Sequence, residues 1–269
     1  MFKKNVLLKP YKKVSPWRKI ALSMWHNQEE ASFYGWIDLD ATGIMKTIES
    51  FKQNGKHMSP TTIAAKAIAV ALSKYPQVNG LIRLGRIYER QNIDIFLQVA
   101  PDDSGDNLTG MVIRQCDTKS LEEINEEIRM RVAKIKSGEK DDFMKSTKML
   151  AAFPSFIINI VIRTLSFLNY TLNIWSPLLQ SPRDAFGSAM VTSVGMLGLE
   201  HGMAPLIPSN RCPIIVAVGK LEQKPVVKNG EIVIQDVLPI TGTFDHRLVD
   251  GVGASHLLRA LKEYIKAPY

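Results

Sequence analysis

The alternation of hydrophobic and polar residues predicts helices and strands in mixed order along this chain. A helix is expected over residues 59–74, where Ser59 provides an N-cap and Pro60 the first helical residue. Helical periodicity is also strong over residues 252–266. Further helices are predicted at 42–54 and 120–138, and strands at 33–39, 93–99, 109–114, 189–194, 213–219, 225–227, 231–234 and 237–244. This order predicts an α/β fold in which helices cover a mixed sheet, as a single domain over residues 1–269.

Residues 149–182 depart from this pattern, because the segment is apolar and Arg163 is its single charged residue. Polar residues such as Asn169 and Asn173 dilute the stretch that follows Arg163, which argues against a transmembrane helix. We favour a helical insertion that packs on the domain or on another subunit. An interfacial contact with a membrane surface, helped by positive charge, is the alternative.

The charge of the chain narrows the classes of partner. The formal net charge is +8, and residues 1–19 form a basic N-terminal segment that contains seven lysines and arginines. A positive protein favours an anionic partner, such as nucleic acid, an anionic membrane surface or a phosphate-bearing cofactor. We do not predict nucleic-acid binding, because the sequence contains no nucleic-acid-binding motif and no interleaved aromatic and basic residues.

Two cysteines, Cys116 and Cys212, have no spacing typical of a metal or redox site. The chain also begins without a hydrophobic signal peptide. Together these observations predict a cytoplasmic protein with two isolated thiols. The protein would be peripheral to the membrane if residues 149–182 contact lipid.

Candidate chemistry lies at the end of the strand predicted over residues 237–244. His246 follows this strand, Asp250 comes four residues later, and Gly251 offers the backbone freedom for a tight turn into the closing helix. Histidine accepts and returns a proton near neutral pH, so His246 is a candidate general base.

A metal site is a separate interpretation of the same motif. His246 and Asp250, with His256 or His201, could act as ligands. No closely spaced group of histidines and cysteines supports this interpretation, and we predict no bound metal.

The full string Phe-Asp-His-Arg-Leu-Val-Asp-Gly, residues 244–251, closely resembles the motif of the 2-oxo acid dehydrogenase acyltransferases, the catalytic domain of dihydrolipoamide acyltransferases. Chloramphenicol acetyltransferase carries a related His-x-x-x-Asp-Gly on the same fold. Three further segments are similar to the acyltransferase family, at residues 75–80, 117–124 and 216–227. The resemblance implies a homotrimer with the chloramphenicol acetyltransferase-like two-layer α/β sandwich, to which residues 149–182 add an apolar helical insertion.

The resemblance also implies roles for individual residues. His246 would remove the proton from a thiol, of coenzyme A or dihydrolipoamide, as the thiol attacks a thioester. A hydroxyl group from the neighbouring subunit would stabilise the tetrahedral intermediate. The alignment places Thr192 there, with Ser193 as the fallback one residue later.

Asp250 has an architectural role in the resembled families. In the chloramphenicol branch the corresponding aspartate pairs with an N-terminal arginine, which nominates Arg18 as the partner of Asp250. An exposed aspartate at a helix start is the alternative interpretation of Asp250.

The chain departs from the family pattern in ways that affect its partners. The family's lipoyl and partner-binding domains are absent, so a dihydrolipoamide acceptor would come from a separate lipoyl protein. Residues 208–213 replace the family's Asn-Pro-Pro segment, which leaves the residues that bind coenzyme A unassigned.

The implied activity is acyl transfer between coenzyme A and a thiol or other small acceptor, with neither a metal ion nor a lipoyl group carried by this chain. The alternative is a catalytically idle assembly scaffold or membrane-docked partner of the same fold. The intact His246, Asp250 and Thr192 argue against the alternative, because a scaffold has no chemical need for all three.

Overall fold

The computed structural model describes residues 3–10, 31–99, 109–137, 155–179 and 182–269. The strands in these ranges are β1 Lys3–Lys4, β2 Leu8–Pro10, β3 Ser32–Asp40, β4 Gly80–Arg83, β5 Arg86–Arg90, β6 Ile95–Val99, β7 Thr109–Ile113, β8 Ile174–Trp175, β9 Ala189–Ser193, β10 Ile214–Val218, β11 Glu222–Lys228 and β12 Glu231–Asp245. The α-helices are α1 Thr42–Gln53, α2 Pro60–Lys74, α3 Leu121–Lys136, α4 Ser155–Ser166 and α5 Gly251–Lys266. These bounds confirm the predicted α/β class.

The largest sheet is mixed, as the sequence predicts. Its strand order is β11–β12–β10–β9–β6–β7, and β3 pairs with the free side of β12. Strand β9 runs parallel to both of its neighbours, β6 and β10. The remaining pairs in this sheet are antiparallel.

Helices α1, α2, α3 and α5 cover one face of this sheet and share its main apolar core. Helix α2 is the most deeply buried of them, and residues 62–72 are buried without a break. Its many alanines allow the helix to approach the sheet and α5 closely. Ser59 caps α2 by accepting a hydrogen bond from the Thr62 N–H at 3.0 Å, which confirms the predicted helix start.

Strand β12 combines two strands that the sequence predicts separately. Asn229 and Gly230 form the turn between β11 and β12, with φ of 54° and 88°, as expected for an Asn-Gly hairpin. The following 15 residues are one continuous strand. The polar pair Gln235-Asp236 suggested a break, but the strand continues, because its first half pairs with β11 and its second half with β10 and β3.

A second, smaller sheet of β2, β5 and β4 was not predicted. Strands β4 and β5 form a hairpin whose turn residues, Leu84 and Gly85, both have positive φ. Gly85 is the residue of this turn that the sequence could have used to predict it. Leu84 argues against a turn, since a leucine rarely adopts this backbone conformation.

Residues 155–179 are helical at first, as expected for this part of the predicted segment 149–182. Helix α4 continues into a π-helical turn at Phe167–Thr171, and β8 then pairs with β1. No helix within the described ranges is both long and apolar enough to cross a membrane. The segment's role as an insertion, and the extent of the single domain over residues 1–269, stay predictions.

Candidate functional site

The motif histidine lies at the end of β12, where the sequence predicts it. The Asp245 N–H donates to the Pro213 carbonyl at 2.9 Å, and the His246 N–H donates to the Ala31 carbonyl at 2.7 Å. The Asp245 carbonyl then accepts from the N–H groups of Leu248 and Val249, both at 2.9 Å. These bonds close a compact turn that fixes the backbone of His246.

The two sequence neighbours of His246, Asp245 and Arg247, form a buried ion pair. Arg247 donates through Nε and Nη2 to the two carboxylate oxygens of Asp245, at 2.9 and 2.7 Å. Both residues are buried, at 2% and 4% exposure. The sequence analysis missed this pair, because charged neighbours of an active-site residue are normally assumed to face solvent.

The orientation of the His246 ring suits a general base. Its Nδ1 lies 3.1 Å from the carbonyl oxygen of Val249, which can only accept a hydrogen bond. The proton therefore resides on Nδ1, and the lone pair that can accept a proton lies on Nε2. The Phe33 ring lies 5.0 Å from the imidazole and supports it from β3.

Asp250 and Gly251 follow in the same turn. Asp250 caps α5 by accepting a hydrogen bond from the Gly253 N–H at 2.8 Å. Gly251 is the first residue of α5, and its backbone does not have positive φ. The turn into α5 therefore does not use the backbone freedom that a glycine offers at this position. A Cβ atom there would meet nothing within 4 Å, so the glycine instead leaves open space beside the motif.

Arg18 lies outside the described residues, so its pairing with Asp250 stays a prediction. If the pair is buried, the double-mutant cycle of Arg18→Met and Asp250→Asn should show coupling, because each single change leaves a charge unpaired at a cost of about 3–5 kcal/mol. Denaturant unfolding of the four proteins measures the coupling. Additive losses would remove the pair and leave Asp250 with its capping role alone.

Thr192 and Ser193 lie at the opposite end of the sheet from His246. Thr192 is opposite Ala217 on β10, which is opposite Thr241 on β12. His246 comes five residues after Thr241 and two strands away from β9, so Thr192 and His246 are separated by roughly 20 Å. The structure thus brings His246, Asp250 and Gly251 together and leaves Thr192 and Ser193 apart from them.

Thr192 and Ser193 also face opposite sides of the sheet. Met190 packs with Phe96 on the side away from the helices, whereas Val191 belongs to the helix-side core. Because side chains alternate along a strand, Thr192 faces away from the helices and Ser193 faces towards them. The Gly-x-x-Gly turn follows directly, and a Cβ on its first glycine, Gly195, would collide with the backbone of Gly219.

The remaining histidines and cysteines have other surroundings. The His256 ring stacks on Tyr75 at 4.8 Å, and His201 lies 3.9 Å from Asp38, so neither joins His246 and Asp250 in a ligand set. Burial raises the pKa of the Cys116 and Cys212 thiols to about 12. Both thiols are therefore protonated at neutral pH, which makes them poor nucleophiles.

An apolar cavity of about 320 Å³ lies between the sheet and α5, beside the motif. Its lining includes Phe33, Gly35, Phe244 and Gly251. Phe33 stacks on Phe244 at 5.0 Å and also contacts the His246 ring, so the cavity adjoins the candidate base. An apolar group attached to a reacting carbonyl could be accommodated there.

Comparisons with known proteins show which proteins this chain resembles. A curated relative, the dihydrolipoyllysine-residue acetyltransferase component of the pyruvate dehydrogenase complex from Bacillus subtilis, is 24% identical over 264 residues, which cover 95% of this chain and 50% of the relative. The corresponding protein of Zymomonas mobilis is 24% identical over 220 residues, which cover 82% of this chain and 40% of the relative. This chain thus spans half the length of these relatives or less.

Solved structures show the same fold. A crystal structure of a probable dihydrolipoamide acetyltransferase from Listeria monocytogenes matches with a TM-score of 0.66 at 20% identity, covering 97% of this chain and 96% of that chain. Chloramphenicol acetyltransferase matches with a TM-score of 0.62 at 13% identity, and the match covers 97% of this chain and 100% of that chain. The predicted chloramphenicol acetyltransferase-like fold is confirmed.

A family model decides the assignment. The model described as 2-oxoacid dehydrogenases acyltransferase (catalytic domain) matches residues 11–151 and 181–269. Residues 152–180, within the predicted insertion, lie outside the match. Because the match covers most of the sequence, this chain belongs to the 2-oxoacid dehydrogenase acyltransferase (catalytic domain) family.

Proposed function

We propose that this chain transfers acyl groups between coenzyme A and a thiol or other small acceptor, with His246 as the general base. The orientation of the imidazole carries the proposal. The Val249 carbonyl holds the proton on Nδ1, at 3.1 Å, so that Nε2 can accept a proton from a thiol. Histidine takes and returns a proton near neutral pH, which suits it to exchange a proton with a thiol.

The proposed reaction balances in two steps. His246 takes the proton of the acceptor thiol while the sulfur attacks the thioester carbonyl carbon, which forms a tetrahedral intermediate with a negative oxygen. When this intermediate collapses, the bond to the coenzyme A sulfur breaks and the imidazolium returns its proton to that sulfur. Thr192 would donate a hydrogen bond to the negative oxygen, an interaction typically worth about 3 kcal/mol of the barrier.

The position of Thr192 supports a site shared between subunits. A hydrogen bond to an intermediate beside His246 requires an approach of about 3 Å, whereas the strand register separates the two residues of one chain by roughly 20 Å. A neighbouring copy of the chain can supply the hydroxyl instead. Thr192 faces away from the helix layer and is only half-buried. We therefore propose a homotrimer with His246 and Thr192 of adjacent subunits at each site.

Mixed trimers test the shared site. His246→Ala trimers and Thr192→Ala trimers should each be inactive alone. Co-refolding the two variants in equal amounts gives about one interface in four an intact His246 and an intact Thr192, so activity should recover to roughly a quarter of that of the wild type.

Differential tags on the two variants verify that the trimers are mixed. Ser193→Ala, in place of Thr192→Ala, is the matched control on the other side of the strand, and it should stay active without mixing. If mixed trimers are no more active than either parent, the site is not shared in this way. If Ser193→Ala is inactive instead, the donor is Ser193.

A panel of acyl-coenzyme A thioesters, assayed by chromatography for free coenzyme A with and without dihydrolipoamide, separates an enzyme from an idle scaffold. Coenzyme A release that depends on dihydrolipoamide identifies a thiol acceptor, which in this proposal belongs to a separate lipoyl protein. Release of no coenzyme A from any thioester, with or without dihydrolipoamide, favours the scaffold. Location in the cytoplasm stays a prediction of the sequence.

A further inference from the structure

Residues 166–178 have inverted polarity compared with an ordinary surface segment. Their polar side chains point inward, and Ser166, Asn169, Asn173 and Ser176 are all buried. Large apolar side chains of the same stretch point outward, and Phe167 and Leu178 are 52% and 85% exposed. A segment that merely covers the domain would bury its apolar side chains and expose its polar ones.

Specific hydrogen bonds hold the inward side chains. Asn173 exchanges two hydrogen bonds with the backbone of Val6, at 2.7 and 2.9 Å. Ser166 donates to the Ser209 carbonyl at 2.9 Å, and the Asn5 side chain donates to the backbone carbonyl of Asn169 at 3.0 Å, which holds the backbone of the segment in place. The outward orientation of the apolar side chains is therefore fixed by the fold.

The outward side chains continue across neighbouring elements. Arg83 donates to the carbonyls of Thr171 and Leu172, which places the β4–β5 turn and its exposed Leu84 next to the segment. Ile160 lies two helical turns before Phe167 and is exposed on the same side of the helix. We call these side chains the apolar patch: Leu84, Ile160, Phe167, Leu172, Ile174 and Leu178.

In the described residues the exposed charged side chains that adjoin the apolar patch are basic, and Glu89, the next acidic residue along β5, is paired with Lys9 at 2.8 Å. Residues 3–10, 80–88 and 155–179 contain no aspartate or glutamate. The exposed Lys3 and Lys4 lie on β1 opposite Trp175 and Ile174, while Arg86 and Arg163 are exposed on the β4–β5 turn and on α4. Apolar side chains within a basic rim match the acyl and headgroup regions of an anionic bilayer.

We propose that the apolar patch and its basic rim dock this protein on the surface of anionic membranes. In this arrangement α4 and the π-helical turn after it lie on the membrane surface. No helix of the described residues crosses the membrane. The polar side chains that face inward keep the segment attached to the protein, and the apolar side chains enter the headgroup region. Most residues of the apolar patch lie outside the segments that the family model matches. The docking proposal therefore does not depend on the acyl-transfer proposal.

Vesicle flotation of the full chain tests the proposal. The protein should float with vesicles of phosphatidylcholine that contain roughly 30% phosphatidylglycerol, and much less with phosphatidylcholine alone. Phe167→Ser with Leu178→Ser should weaken binding by about tenfold or more, because two large apolar side chains no longer enter the bilayer. Lys3→Ala and Lys4→Ala should each weaken it by roughly fivefold at low salt.

Val227→Ser with Ile232→Ser is the matched control, because these side chains are equally apolar and are 72% and 78% exposed on the β11–β12 hairpin. This control should float like the wild type. A wild type that stays unbound, or a control that loses binding as much as the patch variant, overturns the proposal. So does sedimentation in which the patch variant forms smaller oligomers than the wild type, since the patch would then be a contact between subunits.

Discussion

Replacing His246 with alanine should lower the rate of acyl transfer by about a hundredfold or more while the protein stays folded. The Val249 carbonyl lies 3.1 Å from Nδ1 of this imidazole, and the proposal assigns the thiol proton to Nε2. Loss of a general base acts on the chemical step, so kcat should fall by a larger factor than the affinity for acyl-coenzyme A. The rate at which free coenzyme A is released under saturating substrate, followed by chromatography, measures this change.

His256→Ala is the matched control, because His256 also lies on the α5 side of the structure but stacks on Tyr75 at 4.8 Å. Its kcat should stay close to that of the wild type. The outcome that contradicts the assignment is near-full turnover of His246→Ala with substrate still bound. Calorimetry with coenzyme A separates a lost base from a lost binding site.

Breaking the Asp245–Arg247 pair should destabilise the fold by about 3–5 kcal/mol, because both charges are buried and each single change removes one partner of the ion pair. Arg247→Met removes the guanidinium and leaves the Asp245 carboxylate buried. Asp245→Asn leaves Arg247 facing Arg211, whose pKa is lowered by burial and then by the nearby charge of Arg247. Urea unfolding of the single variants and of the double variant measures both costs and their coupling.

Arg129 and Glu126 provide the control pair, since they are exposed on α3 and lie 2.7 Å apart. Their double-mutant cycle should show a coupling of less than about 1 kcal/mol. The prediction for Asp245 and Arg247 fails if their cycle is as weak as this control. Because His246 lies between the paired residues, the same variants should also lose activity under conditions in which they are folded.

Local features of the chain were predicted well from the sequence. The predicted Ser59 cap is present, the helix predicted at residues 120–138 begins with a capping box of Ser120 and Glu123, and the Asn229-Gly230 turn joins the strands predicted at residues 225–227 and 231–234. Each depends on residues within a few positions of one another, so the sequence contains the whole interaction. The β4–β5 hairpin was missed, because Leu84 adopts its unusual backbone conformation only within the smaller sheet.

In the candidate site, too, the sequence predicted the features that depend on neighbouring residues and missed those that depend on tertiary packing. His246, Asp250 and Gly251 are close in the sequence and lie in one turn, but Gly251 does not use the backbone freedom that the sequence suggested for it. It leaves open space at the start of α5, which depends on the cavity that β3 and α5 enclose. Arg247 looked like an ordinary charged residue, and only the packing of β12 against β10 and β3 buries it with Asp245.

The sequence by itself determined the family, the mixed α/β class and the motif that carries the chemistry, because motif residues and helix caps interact over short distances along the chain. Tertiary structure alone decided where Thr192 lies, since its separation from His246 follows from the register of three paired strands. It also decided which side of residues 166–178 faces outward. The buried partners of Asn169 and Asn173 lie more than 150 residues away in the sequence, at Asn5 and Val6, and only folding brings them together.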